Sequence, residues 1–247
     1  MNSSYRTDLA YIHDEGFSGY SLSAAPGVLR HLRENGADRG LVVDLGCGSG
    51  VLARQLGFAG YDVLGIDHSA AMIRLARKRA PSARFEHASI TDFKLPRCSA
   101  VVSIGEVLSF AFSETQETAL DNLFRRVFRA LKNGGIFLFD FGQTGRLPGG
   151  MPRQGFWKGA DWAILLEVEP SEEETEVLTR RLTTFRKAGD CYRRREELHK
   201  LRLFHGSDIL WRLQQAGFEA KLVRSFGSLR FRSGHGGAIA RKPASAL

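Results

Sequence analysis

The feature that most constrains this chain is a short apolar run, residues 41–45, that breaks into Gly46-Cys47-Gly48-Ser49-Gly50 and passes at once into a helical stretch, 51–58. A run this short, bounded by glycines, reads as a buried strand. The glycine turn straight after it lets the backbone approach a ligand at the strand's carboxyl end. The alternation then repeats. Residues 62–66 predict a second strand, and Ser69 can cap a helix in which Ala70, Met72, Ile73, Ala76 and Arg77 keep a 3.6-residue period until Pro81. Strands are expected at 83–87 and 100–104. A long helix follows at 115–131, with Leu120, Leu123, Phe124, Val127, Phe128 and Leu131 on one face, and then the most apolar strand, 136–141. Repeated strand–helix units imply an α/β fold, a doubly wound and mostly parallel sheet with helices on both faces.

Two segments depart from this pattern. Residues 1–40 read as a helical cover, in which the stretch 22–32 carries Pro26 in its first turn and stops at Asn35-Gly36. Residues 143–204 read as a Gly- and Pro-rich loop (148–159) and then strands at 162–169, 177–187 and 191–204, an inserted antiparallel meander. A helix at 207–216, a strand at 220–226 and a final strand at 238–240 are expected to restore parallel order. The chain thus divides into a cover (1–40), an α/β core (41–142 and 205–247) and an insertion (143–204) placed to act as a substrate lid.

No run of about 18 apolar residues is present, so no membrane span is expected. The start lacks the basic-then-apolar pattern of a secretory signal, and the three cysteines, Cys47, Cys98 and Cys191, form no Cys-x-x-Cys pair. That speaks against a disulfide framework or a zinc site and for a cytoplasmic protein; no metal ligands are expected. The net charge of +8, concentrated after residue 179, admits an acidic partner such as nucleic acid. Oligomeric state is left open.

The loop reads Gly-x-Gly-x-Gly, whereas a dinucleotide fingerprint needs a glycine where Val51 stands. Asp44, two residues before the loop, suits a cationic amine better than a pyrophosphate. Asp67, about twenty residues on, can accept bonds from two ribose hydroxyls. The segment 42–50 resembles the first motif of the class I S-adenosylmethionine-dependent methyltransferases, and Gly65-Ile66-Asp67-His68-Ser69 resembles their second. The resemblance implies a seven-stranded Rossmann-like sheet and S-adenosylmethionine as cofactor. By it, Gly46, Gly48 and Gly50 hold the methionyl part, Asp67 the ribose, and Asp44 lies beneath the amino-acid end. The third motif is altered: Ser89 stands where an Asp meets adenine, leaving a backbone contact near Ile90. The full cofactor set implied is Tyr20, Asp44, Gly46, Cys47, Gly48, Gly50, Asp67, His68, Met72, Ser89, Ile90 and Gly105.

Softer features in 11–20 and 197–204 resemble the subset that methylates small molecules, which implies transfer to a nitrogen or oxygen of a small acceptor. Segment 103–110 lacks the Asn/Asp-Pro-Pro-Tyr/Phe string of enzymes that methylate amino groups of nucleic acids. Methyl transfer from a sulfonium needs chiefly positioning, plus a base when the nucleophile carries a proton. His13, Glu106 and His199 are the candidates for that role. Trp157 and Trp162 could form an aromatic wall, and His235 reads as a loop residue. Rival readings are an RNA methyltransferase, a cofactor-binding protein without catalysis, and a nicotinamide-dependent dehydrogenase.

Overall fold

The computed structural model describes residues 5–112, 117–172, 174 and 176–244. Residues 1–4 of the expected cover, Thr115 at the expected helix start, Glu173 and residues 245–247 lie outside them. The cover is α1 (Thr7–Phe17) and α2 (Gly19–Glu34). The core runs β1 (Leu41–Leu45), α3 (Val51–Phe58), β2 (Asp62–Asp67), α4 (Ala70–Arg79), β3 (Arg84–His87), β4 (Cys98–Ser103), α5 (Val107–Ala111), α6 (Glu117–Ala130) and β5 (Leu131–Gly142). The insertion is β6 (Arg153–Lys158), β7 (Trp162–Pro170), β8 (Val177–Ala188) and β9 (Cys191–Arg202). Then come α7 (Gly206–Gln215), β10 (Glu219–Val223), a small hairpin of β11 (Ser225–Phe226) and β12 (Leu229–Arg230), and β13 (His235–Arg241).

The seven-stranded sheet has the order β10-β13-β5-β4-β1-β2-β3. Its central strands are apolar on both faces because both faces are covered. Val42, Ala100, Val102, Ile136 and Leu138 pack toward α2, α3 and α4, while Val43, Val101, Phe137 and Phe139 pack toward α5, α6 and α7. Ser69 caps α4 as its sequence suggests, accepting from the Met72 N–H at 3.2 Å.

Four expectations are corrected. The last strand does not restore parallel order: β13 is antiparallel to both β5 and β10. Residues 224–234 return the chain through the β11–β12 hairpin, and so short a link cannot make the crossover that a parallel neighbour needs. The strand expected at 220–226 is therefore split between β10 and β11. The supposed loop 148–159 contains β6, whose backbone pairs with β7 although nearly all its side chains are exposed. Finally, α2 begins at Gly19, so Pro26 lies in its interior. The carbonyl of Leu22, which loses its helical donor, belongs to an exposed residue that water can reach.

The cover ties the core to the insertion. Leu9 and Ile12 of α1 bury against Trp162 and Ile164 of β7, and Arg193 of β9 forks onto Asp8 at 2.7 and 2.5 Å. Trp162 is thus core rather than a substrate wall. Trp157 is partly exposed, edge-on to Phe17.

Candidate active site

Gly46, Gly48 and Gly50 all adopt positive φ, which turns the chain sharply at the end of β1. A Cβ on Gly46 would lie 2.4 Å from Val107, so the loop is packed on one side. At Gly48 a Cβ would meet nothing within 4 Å, so the other side is open. The Asp67 carboxylate at the end of β2 closes the turn, accepting from the N–H of Gly48 at 2.9 Å and of Ser69 at 2.8 Å. Burial raises the Asp67 carboxyl against the pull of these donors and of His68. Asp44 is buried beneath the loop. Its Oδ2 has no partner among the described residues, and burial, aided by the charge of Asp67, pushes its carboxyl up to about 7.

A second cluster lies beside this loop, where β4 and β5 end. Fully buried Asp140 interrupts the apolar strand β5. Its Oδ1 accepts from the N–H of Gly105 at 2.8 Å and of Glu106 at 2.9 Å; its Oδ2 accepts from the Tyr20 hydroxyl and lies 3.0 Å from His235 Nε2. These bonds hold Glu106 at φ 59°, a strained conformation for a residue with a side chain. The Glu106 carboxylate pairs with Arg146 and, at 3.1 Å, with Arg180 of β8. Burial alone would raise its carboxyl, but Arg180, Arg146 and His235 outweigh burial and hold it below the ordinary range.

The cover closes over both clusters. Tyr5, just before α1, gives its carbonyl to the Ser69 hydroxyl at 2.7 Å. The backbone N–H groups of Tyr5 and Arg6 donate at 2.7 and 3.0 Å to the buried carboxylate of Glu197, which also pairs with His199 Nε2 at 2.9 Å. Burial pushes the Tyr5 hydroxyl up to about 12, within the field of Arg180, Asp67, Glu197 and Glu106.

Residues 42–135 match the family model of a methyltransferase domain. The chain is 27% identical to the putative methyltransferase YqeM of Bacillus subtilis (strain 168), over 75% of this chain and 76% of that one. An S-adenosylmethionine-dependent methyltransferase from Clostridium acetobutylicum ATCC 824 superposes with a TM-score of 0.80 at 18% identity, covering 95% of this chain and 98% of that one. The sugar N-methyltransferase KedS8 from Streptoalloteichus sp ATCC 53650 gives 0.78 at 20% identity, over 98% and 96%. Residues 42–135 are thus a methyltransferase domain, set in the fold of S-adenosylmethionine-dependent methyltransferases. S-adenosylmethionine is the cofactor of this family, and it supplies an activated methyl group on sulfur.

The site of this methyltransferase fits such a ligand. An orphaned buried acid, Asp44, suits a cationic group, and the backbone at Gly48 leaves room for close approach. Of the other residues expected around the cofactor, Cys47 is buried in the loop, and His68 is half exposed with Nδ1 3.7 Å from Asp67. Gly105 has φ 106° and open space where a Cβ would stand. Met72 is buried against Ala10 and Tyr5. Ile90 is buried, and its carbonyl accepts from Arg126 at 2.7 Å. Ser89 is exposed and turns its hydroxyl toward Thr91 at 2.6 Å. Tyr20 is drawn instead into the Asp140 cluster, stacked on His235.

Of the candidate bases, only Glu106 belongs to the Asp140 cluster. His13 lies in the cover against Tyr5 and Phe17, where burial lowers it to about 4 and leaves it neutral. His199 is buried between Tyr5 and Phe110 and spent on Glu197. His235 is corrected: it opens β13 within the polar cluster and is no free loop residue. Tyr5, Asp140, Arg146 and Arg180 escaped the sequence reading. Only Asp140 carried a signal, a lone acid in Phe137-Leu138-Phe139-Asp140-Phe141.

The strap at Tyr5–Arg6 depends on the Glu197 carboxylate. Burial raises that carboxyl, but the His199 bond and the Arg6 and Tyr5 N–H groups outweigh burial and hold it low. Its contribution to stability is therefore present above the ordinary carboxylate range and lost as pH falls through its lowered value. Glu197→Ala leaves His199 and two N–H groups unpaired and is expected to cost about 3 kcal/mol in urea unfolding at pH 7. A loss under about 1 kcal/mol would show that the strap is held by other contacts.

Proposed function

We propose that this methyltransferase moves the methyl group of S-adenosylmethionine to a nitrogen or oxygen of a small polar acceptor. The observation that carries this reading is the convergence of three parts of the chain on Glu106. Tyr5 comes from the cover, His235 from the core edge, and Arg146 and Arg180 from the insertion. A buried carboxylate enclosed by side chains from cover and insertion suits a small molecule better than a nucleic-acid duplex. The insertion then acts as the substrate lid. KedS8, a sugar N-methyltransferase, shares the fold over nearly the whole chain, insertion included.

On this reading Asp67 accepts from the ribose hydroxyls, Asp44 faces the cofactor's ammonium end, and Gly46, Cys47, Gly48, Gly50 and Gly105 present backbone to it. Met72 supports the strap that covers it, while Ser89 and Ile90 border the adenine. Glu106, with its arginines, orients the acceptor; His13 and His199 shape the cover. The three free cysteines, two of them buried, fit a reducing cytoplasm.

The test is a screen with methyl-labelled cofactor against aminosugars, amino acids, small hydroxy and carboxylic acids, and total RNA. Label transfer to a small acceptor, lost in Glu106→Gln with cofactor affinity retained, is the expected result. Label entering RNA, with the steep salt dependence of phosphate contacts, would overturn the reading in favour of an RNA methyltransferase. Cofactor binding with no transfer to any class would favour the non-catalytic alternative.

A further inference from the structure

We infer that His235, oriented by Asp140 and Tyr20, is the general base that removes the proton from the acceptor. The inference rests on the proposed transfer to an acceptor nitrogen or oxygen, and it names the group that receives the proton. None of the three bases expected from sequence is free to take it. His13 lies away in the cover, His199 is bound to Glu197, and Glu106 is clamped by two arginines.

His235 has the geometry they lack. Its ring lies nearly parallel to those of Tyr20, centroid 5.7 Å away at 12°, and Phe231, 4.7 Å away at 11°, so both neighbours restrict its plane. Nε2 lies 3.0 Å from Asp140 Oδ2 and 2.9 Å from the Tyr20 hydroxyl. A carboxylate so placed requires the proton on Nε2, which donates to it, and leaves the lone pair on Nδ1. Nδ1 faces Glu106, whose Oε1 is 3.8 Å away, too far for a hydrogen bond. Asp140 therefore does for His235 what a buried carboxylate does in an acid-base triad: it fixes tautomer and ring, and stabilises the cation once formed.

The charged and titratable groups facing the ring are Tyr20 from α2, Asp140 from β5, Glu106 after β4 and Arg146 after β5, with Arg180 of β8 behind Glu106. In the transfer, the lone pair of the acceptor's N–H or O–H atom forms the bond to the methyl carbon, and the carbon–sulfur pair stays on sulfur. The proton passes to Nδ1, and the imidazolium, flanked by Asp140 and Glu106, later yields it to water.

The test pairs His235→Gln with ring-nitrogen NMR of the wild type. Gln keeps an N–H donor for Asp140 and Tyr20 but carries no base. Expected are unchanged affinity for S-adenosylhomocysteine, a kcat/KM lower by at least about 100-fold at pH 7, and loss of the acidic limb of the wild-type pH–rate profile. In the unliganded wild type, His235 should be the Nε2–H tautomer, and Asp140→Asn should disturb that tautomer. Wild-type turnover matched within about threefold by His235→Gln, or an Nδ1–H tautomer, would overturn this inference alone. A wild type that methylates no acceptor at all would overturn the reading beneath it.

Discussion

Alanine at position 67 is expected to weaken binding of S-adenosylhomocysteine at least about 100-fold, measured by calorimetry against the wild type. Two losses add. The carboxylate that accepts from Gly48 and Ser69 is gone, so the turn that presents the open Gly48 backbone loses its clasp. On the proposed reading the acceptor for the ribose hydroxyls goes with it, and hydrogen bonds to a charged group are worth about 1.5–3 kcal/mol each. The damage extends along the chain, because the Ser69 hydroxyl carries the Tyr5 carbonyl and so links this turn to the strap of the cover. Affinity within about fivefold of the wild type would mean that the ribose is held elsewhere.

Why Asp67 was legible in the sequence and His235 was not is a matter of range. The strand Leu41–Leu45, the turn at 46–50 and the helix Val51–Phe58 are local: an apolar run, glycines at positive φ and a 3.6-residue period stand side by side in the chain. Asp67 belongs to the adjacent parallel strand, at a distance that one strand–helix–strand unit fixes. The direction of β13 is another matter. His235-Gly236-Gly237-Ala238-Ile239 looks the same whichever way it runs, and the short return through residues 224–234 decides it. That antiparallel course brings His235 opposite Gly142, beside Asp140. The strand β6 was hidden for a different reason. Arg153-Gln154-Gly155-Phe156-Trp157-Lys158 is exposed almost throughout, so no face is selected for apolar residues and no alternation results. Arg146 and Arg180 meet at Glu106 only because the insertion folds back over the core, which no spacing within the chain records.

Binding of S-adenosylmethionine at pH 6 is expected to release about one proton per site, and the release should vanish in Asp44→Asn. Burial, reinforced by the charge of Asp67, pushes the Asp44 carboxyl to about 7 from an ordinary 3.8, so below pH 7 the unliganded site holds this acid neutral. A cationic ammonium brought to the unpartnered Oδ2 favours the carboxylate and expels the proton. Calorimetry in buffers of differing ionisation enthalpy counts it; equal counts for wild type and variant would mean that Asp44 does not face the ammonium. The same shift sets the stability of the unliganded protein. The raised carboxyl contributes stability that is fully present below the unfolded value of 3.8 and is lost as pH rises through about 7. That loss is about 4 kcal/mol when complete, at about 1.4 kcal/mol for each tenfold change in proton affinity. Asp44→Asn should therefore unfold at higher temperature than the wild type at pH 8, and the gap should close as pH falls toward 5. On the proposed reading, the acid beneath the glycine loop is kept at a cost to the protein alone, one that the positive end of the cofactor offsets on binding.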